Sequence, residues 1–378
     1  MKIVVLGAGL VGSAIVRDLA MDSRFQVTAV DANPDRLKKL ADGGKVRTIA
    51  ADLSRPEEVR RQVREADIVV DALPGFLGFR TFRAVIEAGK NVVDIAFFPE
   101  DPFELEELAR KRGVTAIMDC GVAPGMSNVL VGYASNQLDE TESVRIYVGG
   151  LPVVRRWPYE YKAVFSPIDV IEEYTRPARI VEHGQVVVRE ALSEVELIDF
   201  PEIGTLEAFN TDGLRTLIRT IPAPDMREKT LRYPGHAEKM RLLRESGFFR
   251  TEPVDVQGNI VRPIDVTARL LFPLWQLREG EEDLTIMRVE VIGKREGKRM
   301  HIRYDLLDRY DVQSGIHSMA RTTGYTATTT VRLLAQGLYQ RKGVSPPEYL
   351  GRDGQCVTFL LDGLREKGVV YQETIFSE

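Results

Sequence analysis

Three glycines near the start of the chain have the spacing of a phosphate-binding turn. Gly7, Gly9 and Gly12 form the pattern G-x-G-x-x-G, directly after the apolar run 3–6 and at the start of a helical pattern over 11–20. Here the first glycine permits a tight turn, the second lets the backbone approach a pyrophosphate, and the third lets helix and strand pack closely. The N–H groups that open the helix then face the phosphates. The residues predicted to bind a dinucleotide in this way are Gly7, Gly9, Leu10, Val11 and Gly12.

Acidic residues after the next two predicted strands affect the choice of dinucleotide. Asp31 lies 19 residues after Gly12. Its carboxylate can accept hydrogen bonds from both hydroxyls of an adenosine ribose and would repel a 2′-phosphate, so the sequence favours NAD over NADP. Arg36 is near enough to keep NADP possible. Asp52 is expected either to contact the adenine amine or to cap the helix that starts near Pro56.

The loop after the fourth predicted strand is expected beside the nicotinamide half of the cofactor. Leu73 and Pro74 occupy this loop, in the stretch A-L-P-G. In open parallel sheets, ligands bind outside the carboxyl ends of the strands. The alternative is an ordinary Pro-Gly turn without a ligand.

Two carboxylates follow later strands at the same edge of the predicted sheet. Asp94 and Asp119 could accept a proton from an amine and stabilise a developing cation next to a nicotinamide. Either could instead cap a helix or bond a loop. They are the candidate catalytic residues.

The elements that position these residues alternate between strands and helices. Over the first 125 residues, apolar runs predict strands at 3–6, 25–30, 46–50, 68–72, 91–95 and 114–118, and helical patterns at 11–20, 34–40, 56–64, 79–88 and 103–112. This alternation predicts right-handed βαβ units, and therefore an α/β fold with an N-terminal, doubly wound Rossmann sheet over residues 1–125.

A different pattern follows, typical of a second domain of α+β type over 126–311. Its strands alternate in polarity, as at 287–291 and 300–305, with a hairpin loop expected at 293–298, so we expect a mixed or antiparallel sheet. Residues 312–378 should form a helix at 317–340 that returns to the first domain, plus a C-terminal extension with its own strand. Gly324 in this helix indicates either tight packing or close approach to the cofactor.

Composition excludes several classes of partner. The 378 residues contain 51 Lys plus Arg and 56 Asp plus Glu, a net charge of −5, so neither nucleic acid nor an anionic membrane surface is expected to bind. No apolar stretch reaches the ~18 residues of a membrane span, and the early apolar run does not fit a secretory signal. Two cysteines, Cys120 and Cys356, give no disulfide framework and favour a cytoplasmic location. Scattered histidines predict no metal site.

Several segments resemble the saccharopine dehydrogenase family. They are DCGVAPGM at 119–126, YVGGLP at 147–152, LEAF at 206–209, RYPGHAEK at 232–239 and MARTTGY at 319–325. The last two motifs and the chain length most resemble the lysine 6-dehydrogenase branch. This resemblance implies NAD(P)-dependent oxidation of the side-chain amine of L-lysine, which releases ammonia and leaves 2-aminoadipate 6-semialdehyde. The alternatives are a saccharopine dehydrogenase, which acts on a C–N bond to glutamate, and a non-catalytic NAD-sensing protein.

One departure from the family pattern favours lysine. Saccharopine reductases place an arginine for a substrate carboxylate shortly after a Phe/Trp-Ser pair, whereas here Phe165-Ser166 is followed by Pro167, Ile168 and Asp169. The missing arginine indicates a substrate without that carboxylate.

A lysine substrate needs a cation for its α-carboxylate. Arg215 is the first candidate and Arg321 the second, although either could be an ordinary solvated arginine. His236 is expected to be a proton shuttle, a substrate ligand or a turn residue. The aromatic group Trp157, Tyr159 and Tyr161 could line the substrate pocket, or belong to a core or an interface. The resemblance also implies a homodimer or a larger homo-oligomer.

Overall fold

The chain folds into two compact units. The computed structural model describes residues 1–41, 44–164, 167–278 and 280–377. The first unit comprises Met1–Gln137 and Met319–Tyr371, and the second comprises Leu138–Ser318 and Gln372–Glu378.

The first unit contains a seven-stranded parallel sheet, whose strands lie in the order β17 (Gly343–Ser345), β6 (Thr115–Ile117), β5 (Asn91–Asp94), β4 (Ile68–Asp71), β1 (Lys2–Leu6), β2 (Gln26–Asp31) and β3 (Val46–Ala50). Its elements are β1 (Lys2–Leu6), α1 (Leu10–Ala20), β2 (Gln26–Asp31), α2 (Pro34–Ala41), β3 (Val46–Ala50), α3 (Pro56–Val63), β4 (Ile68–Asp71), α4 (Gly75–Glu87), β5 (Asn91–Asp94), a 3-10 turn (Pro102–Leu105), α5 (Glu106–Arg112), β6 (Thr115–Ile117), α6 (Met126–Asn136), α11 (Ser318–Ala335), β17 (Gly343–Ser345), α12 (Pro347–Gly351) and α13 (Gly354–Arg365). The predicted Rossmann arrangement is confirmed. The strand order reverses between β1 and β4, which places a ligand crevice at the carboxyl ends of these two strands.

The central strands form near-continuous apolar runs because helices cover both faces of the sheet. All four residues of β4 are buried, as are the last four of β1. Such double burial is typical of parallel sheets. The terminal polar residue of β4, Asp71, is therefore held in an apolar surrounding.

Two boundaries in the first unit differ from the prediction. Helix α4 begins at Gly75 rather than at residue 79, because Pro74 is its N-cap residue, so the loop after β4 is only three residues long. The first unit also extends beyond residue 125 to include α6. A Cβ on Gly132 of α6 would lie 2.4 Å from the carbonyl oxygen of Glu348 in α12, so these two helices pack backbone against backbone.

The chain returns to the first unit through α11. A Cβ on Gly324 would lie 3.3 Å from Ile15 Cγ1 and 3.6 Å from the carbonyl oxygen of Val11, both in α1. This contact accounts for Gly324 by tight packing between helices. The C-terminal extension is not a separate piece, since β17 joins the first sheet beside β6 and β18 (Tyr371–Ser377) joins the second sheet beside β16 (Lys298–Arg309).

The second unit is built on a mixed sheet. Its main path has the order β10-β11-β12-β7-β15-β16-β18. Its remaining elements are β7 (Glu140–Pro152), α7 (Pro167–Thr175), β8 (Ala178–Glu182), β9 (Gln185–Arg189), β10 (Glu196–Phe200), β11 (Gly204–Asn210), α8 (Leu217–Thr220), β12 (Asp225–Arg232), α9 (His236–Glu245), β13 (Val254–Val256), β14 (Asn259–Val261), α10 (Pro263–Trp275) and β15 (Asp283–Arg295). β12 pairs with β7 in parallel, whereas β15 runs antiparallel to both β7 and β16. The prediction of a mixed sheet is confirmed.

The hairpin between β15 and β16 has a shorter loop than predicted. β15 continues to Arg295 and β16 begins at Lys298. The two residues between them, Glu296 and Gly297, both have positive φ, 52° and 77°. Positive φ at both central residues is what a tight two-residue hairpin turn requires. Among the described residues, no helix combines the length and apolarity of a membrane-crossing segment.

Candidate active site

The glycine turn after β1 is required in part by the protein's own packing. Gly7 has a φ of 99°, and a Cβ there would lie 2.6 Å from the carbonyl oxygen of Ala72. A Cβ on Gly12 would lie 2.2 Å from the carbonyl oxygen of Gly7. Neither position has room for a side chain, because β1, α1 and the loop after β4 converge here.

Gly9 is different, and points to a ligand. Its φ is −70°, which any residue adopts, and a Cβ there would meet no protein atom within 4 Å. Neither conformation nor packing therefore requires glycine, which leaves the space above Gly9 for an external group. Gly9 is also the N-cap residue of α1 and has no side chain to bond the first N–H groups of the helix. Unshielded backbone and uncapped N–H groups fit the pyrophosphate of a dinucleotide.

Asp31 lies against this turn. Its Oδ2 accepts a hydrogen bond of 2.6 Å from the N–H of Ala8, and its Oδ1 accepts one of 2.7 Å from Asn33. The guanidinium of Arg36 is 3.9 Å from Oδ2, and this arginine side chain is 56% exposed. The structure thus brings Asp31 to the glycine turn and places the guanidinium of Arg36 beside it.

Asp52 does not have the helix-capping role that was the alternative to adenine contact. The N-cap residue of α3 is Arg55, so Asp52 does not cap that helix. It accepts a hydrogen bond of 3.0 Å from the N–H of Ser54. Hydrogen bonding with the side chain of Ser54, and next with this N–H, holds the pKa of the exposed Asp52 below its usual value. Contact with adenine stays a prediction.

The loop after β4 lies beside the glycine turn. The carbonyl of Ala72 faces Gly7, and the N–H of Leu73 donates to Asp71 Oδ1 over 3.1 Å. Pro74 then starts α4. Leu73 and Pro74 are therefore at the crevice edge where the nicotinamide half was expected, and their contact with a cofactor stays a prediction.

Three buried carboxyl groups meet at this edge of the sheet. Asp71 and Asp94 end the neighbouring parallel strands β4 and β5, and they are register partners. Both are fully buried, and Asp119 is 2% exposed. Asp119 lies two residues beyond β6 with a φ of 51°, and the N–H of Cys120 donates to the carbonyl of Asp94 over 2.7 Å. The structure brings the predicted Asp94 and Asp119 together and adds Asp71.

The protonation of Asp94 requires a correction to its expected role. Burial raises the pKa of Asp94 well above its usual value, and the charges of Asp71 and Asp119 raise it further. Burial likewise raises the pKa of Asp71. A raised pKa favours the protonated form, which cannot accept a proton, so the structure favours Asp94 as a group that holds a proton over its predicted role as a base. Its Oδ1 accepts from the N–H of Ala96 over 3.1 Å, the loop-bonding alternative.

Sequence reasoning missed Asp71, although it stands one residue before the end of its predicted strand, 68–72, as Asp94 does in the predicted strand 91–95. The available signal was its position, the same strand-end position as Asp94. Among the residues that the structure describes, no three histidine, cysteine or acidic side chains are arranged to hold a metal ion. The raised pKa values of Asp71 and Asp94 indicate that the cluster holds protons.

The two candidate arginines are buried rather than solvated. Arg215, in the second unit, is 7% exposed and has a φ of 53°. Its segment is held by Glu228, which accepts a hydrogen bond of 3.0 Å from the N–H of Gly213. Arg321, in the first unit, is also 7% exposed and donates to the carbonyl of Lys367 over 2.9 Å. Substrate contact by either stays a prediction, but the solvated alternative is wrong for both.

His236 has a structural role in the second unit. Its Nδ1 faces the carbonyl oxygen of Tyr159 at 3.0 Å, so Nδ1 carries the proton, and its Nε2 accepts from the hydroxyl of Tyr174 at 2.9 Å. Burial lowers the pKa of His236 to about 3, helped by the charge of Arg232. With both nitrogens engaged and the ring held neutral, the expected shuttle or substrate-ligand role does not fit this geometry.

The predicted aromatic group divides. Trp157 is 86% exposed, whereas Tyr161 is 4% exposed and packs in the core around Trp275. The guanidinium of Arg232 stacks 4.6 Å above the ring of Tyr161 and donates to Glu173 over 2.6 Å. Arg232 is a buried arginine that sequence reasoning passed over, although it lies in the motif RYPGHAEK.

Comparison with known families covers almost the entire chain. Residues 3–117 match the profile described as "Saccharopine dehydrogenase NADP binding domain". Residues 121–369 match the "Saccharopine dehydrogenase C-terminal domain".

The chain belongs to the saccharopine dehydrogenase family. A relative from Schizosaccharomyces pombe, "Saccharopine dehydrogenase [NADP(+), L-glutamate-forming]", is 23% identical over 100% of this chain and 99% of its own length. "Carboxyaminopropylagmatine dehydrogenase" from Synechocystis is 22% identical over 99% and 98% of the two chains. The solved apo structure of saccharopine dehydrogenase (L-Glu forming) from Saccharomyces cerevisiae shares the fold, with a TM-score of 0.81, 17% identity and 99% coverage of both chains.

Family membership and the glycine turn agree on the class of reaction. This member of the saccharopine dehydrogenase family is an NAD(P)-dependent oxidoreductase that acts on C–N bonds. Because this family consists of enzymes, the alternative of a non-catalytic NAD-sensing protein is not retained.

Proposed function

We propose that this saccharopine dehydrogenase-family enzyme catalyses the oxidative deamination of the side-chain amine of L-lysine to 2-aminoadipate 6-semialdehyde. The observation that carries the proposal is the buried carboxyl cluster of Asp71, Asp94 and Asp119 at the carboxyl end of the cofactor-binding sheet. Negative charge in a dry site attracts an ammonium group and opposes an additional substrate carboxylate.

The reaction makes specific demands on these groups. The protonated amine, NAD⁺ and water give the aldehyde, NADH, ammonium and one further proton. When bound, the nicotinamide accepts the hydride from the carbon that bears nitrogen. Before this transfer the ammonium group must lose a proton, and afterwards water must attack the iminium. Asp119 is the proposed proton acceptor near neutral pH, because Asp71 and Asp94 tend to keep a proton.

Substrate recognition is proposed to use the buried arginines. A bidentate guanidinium matches the geometry of an α-carboxylate. Arg215 remains the first choice because the chain around it is anchored through Glu228, and Arg321 is the second.

NAD is the proposed physiological cofactor, with NADP possible. The carboxylate of Asp31 at the glycine turn supports NAD, because it would repel a 2′-phosphate. Arg36 beside it could compensate, and the matching family profile is named for NADP.

Saccharopine oxidation is the second candidate function, favoured by the names of the S. pombe and S. cerevisiae proteins. Against it stands Asp169 in the first turn of α7, in the region where saccharopine reductases place an arginine. Phe165 and Ser166 lie outside the described residues. The 22% identity to an enzyme named for a different amine indicates that substrates vary within the family.

A substrate panel tests the proposal. The purified protein is mixed with L-lysine, saccharopine or other amino acids and amines, with NAD or NADP at alkaline pH, and reduced nicotinamide is followed by absorbance. We expect NADH production from L-lysine. Turnover of saccharopine without turnover of L-lysine would transfer the assignment to the second candidate. The cytoplasmic location and the homo-oligomeric state also stay predictions, the latter testable by light scattering.

A further inference from the structure

We propose that Asp71 and Asp94 share one proton, and that this shared proton positions the loops bordering the dinucleotide turn, so that the affinity for NAD(P) depends on it. Asp71 thereby becomes a positioning residue for cofactor binding. The inference rests on the dinucleotide site alone and not on the identity of the amine substrate.

The first argument is the hydrogen bonding of the two carboxyl groups. In each, Oδ1 accepts from a backbone N–H group, of Leu73 for Asp71 and of Ala96 for Asp94. The Oδ2 atoms of both residues are buried and receive no hydrogen bond from any other described residue. The two side chains lie within hydrogen-bonding reach of each other, a contact that exists only if one of them carries a proton. Buried polar atoms are seldom left unpaired. A single proton between the two carboxyl groups provides a donor on one side and an acceptor on the other, and so satisfies both atoms.

The second argument is the position of the pair. The two residues are register partners on adjacent parallel strands, and both are completely buried. Two ionised carboxylates held side by side in an apolar interior repel each other strongly, whereas a pair with one proton carries a single delocalised charge. This arrangement matches a carboxyl dyad that titrates as one unit.

The groups around the pair reinforce proton retention. From the segment after β6, the charge of Asp119 acts on Asp94. The thiol of Cys120 is near enough to Asp94 and Asp119 to be affected by their charges, and it donates to Thr330 Oγ1 over 3.2 Å. Burial raises the pKa of Cys120 to about 12, so this thiol stays neutral over the working range. From β1, the register partner of Asp71 is the apolar Leu6. The charged group outside the pair that acts on it is therefore the carboxylate of Asp119, and its negative charge opposes loss of the shared proton.

The link to the cofactor is the loop after β4. Asp71 holds Leu73, and the neighbouring carbonyl of Ala72 lies so close to Gly7 that a Cβ on Gly7 would be 2.6 Å from it. The N–H of Ile95 donates to the carbonyl of Asp71 over 2.9 Å, which joins the two strand ends. When the pair loses its proton, repulsion between the two carboxylates separates the ends of β4 and β5. This movement displaces the carbonyl of Ala72, which lies against Gly7.

The test measures NADH affinity by fluorescence titration between pH 6 and 10, with no amine substrate present. In the wild type we expect the affinity to fall by about tenfold or more across the alkaline part of this range. In Asp71→Asn the amide donates permanently to Asp94, so the affinity should remain nearly constant. Glu65→Gln, an exposed substitution just before β4 at the opposite end of the strand, should behave like the wild type.

A second measurement needs no variant. Calorimetric titration of the wild type with NADH in buffers of different ionisation enthalpy should reveal proton uptake on binding at alkaline pH and none at pH 6. A pH-independent affinity in the wild type, the same pH dependence in Asp71→Asn, or binding without proton uptake would each overturn the proposal. Because no amine is present, these outcomes are separate from the result of the substrate panel.

Discussion

At the scale of single residues, the choice between NAD and NADP is expected to depend on the pair formed by Asp31 and Arg36. Asp31 is fixed by the backbone of the glycine turn, whereas Arg36 is exposed and 3.9 Å away. A cation at this place is the group that could contact a 2′-phosphate and offset the carboxylate.

We therefore expect Arg36→Ala to lower kcat/KM with NADP by about tenfold, the value of one charge-assisted contact, and to leave kcat/KM with NAD within about twofold. Steady-state kinetics with both cofactors measure the ratio. Arg61→Ala, another exposed arginine of the first unit, serves as control. Equal losses with both cofactors would mean that Arg36 does not read the ribose.

A second prediction at the scale of single residues concerns Asp119. If it accepts the proton of the amine, Asp119→Asn should lower turnover by about 100-fold or more, since general-base catalysis contributes about 10² to 10⁴. The Kd for NADH should stay within about threefold, because the substitution is nearly isosteric. Stopped-flow kinetics and fluorescence titration separate the two quantities. A weakened Kd with proportionate loss of turnover would assign Asp119 to cofactor binding instead.

At the scale of elements, the contact between α11 and α1 depends on Gly324. A Cβ added to Gly324 would lie only 3.3 Å from Ile15 Cγ1, so the branched side chain in Gly324→Val should force the two helices apart. We expect a loss of about 2 kcal/mol in the free energy of unfolding, measured by denaturant titration. Gly354→Ala, at the open start of α13, should have little effect. Unchanged stability with lost NADH binding would favour the alternative that Gly324 borders the cofactor.

Local sequence patterns were sufficient to predict the bounds of elements that have a regular spacing of apolar residues. β3 was predicted at 46–50 and is found at Val46–Ala50. The start of α4 was missed because Gly75 and Gly78 weaken the helical pattern; a Cβ on Gly78 would lie 2.6 Å from Ala96, a contact that no local pattern reveals.

The same limit applies to the site. The spacing of Gly7, Gly9 and Gly12 was sufficient to predict the turn and its cofactor-binding role, because the backbone itself forms such a site; cofactor contact at the turn stays a prediction. The role of His236 depends on Tyr159 and Tyr174, which lie 77 and 62 residues away in the chain. The protonation of Asp94 depends on Asp71, which shares a sheet edge with it only after folding. Side-chain chemistry of this kind requires the tertiary structure.

At the scale of the whole molecule, Asp18 joins three distant segments of the first unit. Its carboxylate, on α1, bonds Arg332 of α11 over 2.7 Å and also bonds Lys367, after α13. Burial alone would raise the pKa of Asp18, but the charges of Arg332 and Lys367 hold it below its usual value. A carboxyl group with a lowered pKa stabilises the folded state above its unfolded pKa, and this stabilisation is lost as the pH falls through the folded pKa.

Asp18→Asn should therefore lower the free energy of unfolding by about 2 kcal/mol at pH 7, and the difference from the wild type should shrink below about pH 4. Thermal or urea unfolding across the pH range measures both effects. Asp35→Asn, an exposed carboxylate on α2, is the matched control. A difference that persists unchanged into acid would mean that the ion pairs do not cause the loss.

The dinucleotide-binding sheet has one further consequence, for folding during synthesis. Its strand β17 and the helix that covers α1 come from the return segment Met319–Tyr371, which follows the main part of the second unit, Leu138–Ser318. As the ribosome works from the amino terminus, β1 to β6 emerge with their outer edge unpaired and one face of α1 uncovered. These strands stay without their final partners while the ribosome makes Leu138–Ser318, which separates the two segments of the first unit in the chain. During this time their unpaired edge is prone to aggregation. The enzyme is thus expected to depend on chaperones until the segment Met319–Tyr371 leaves the ribosomal tunnel.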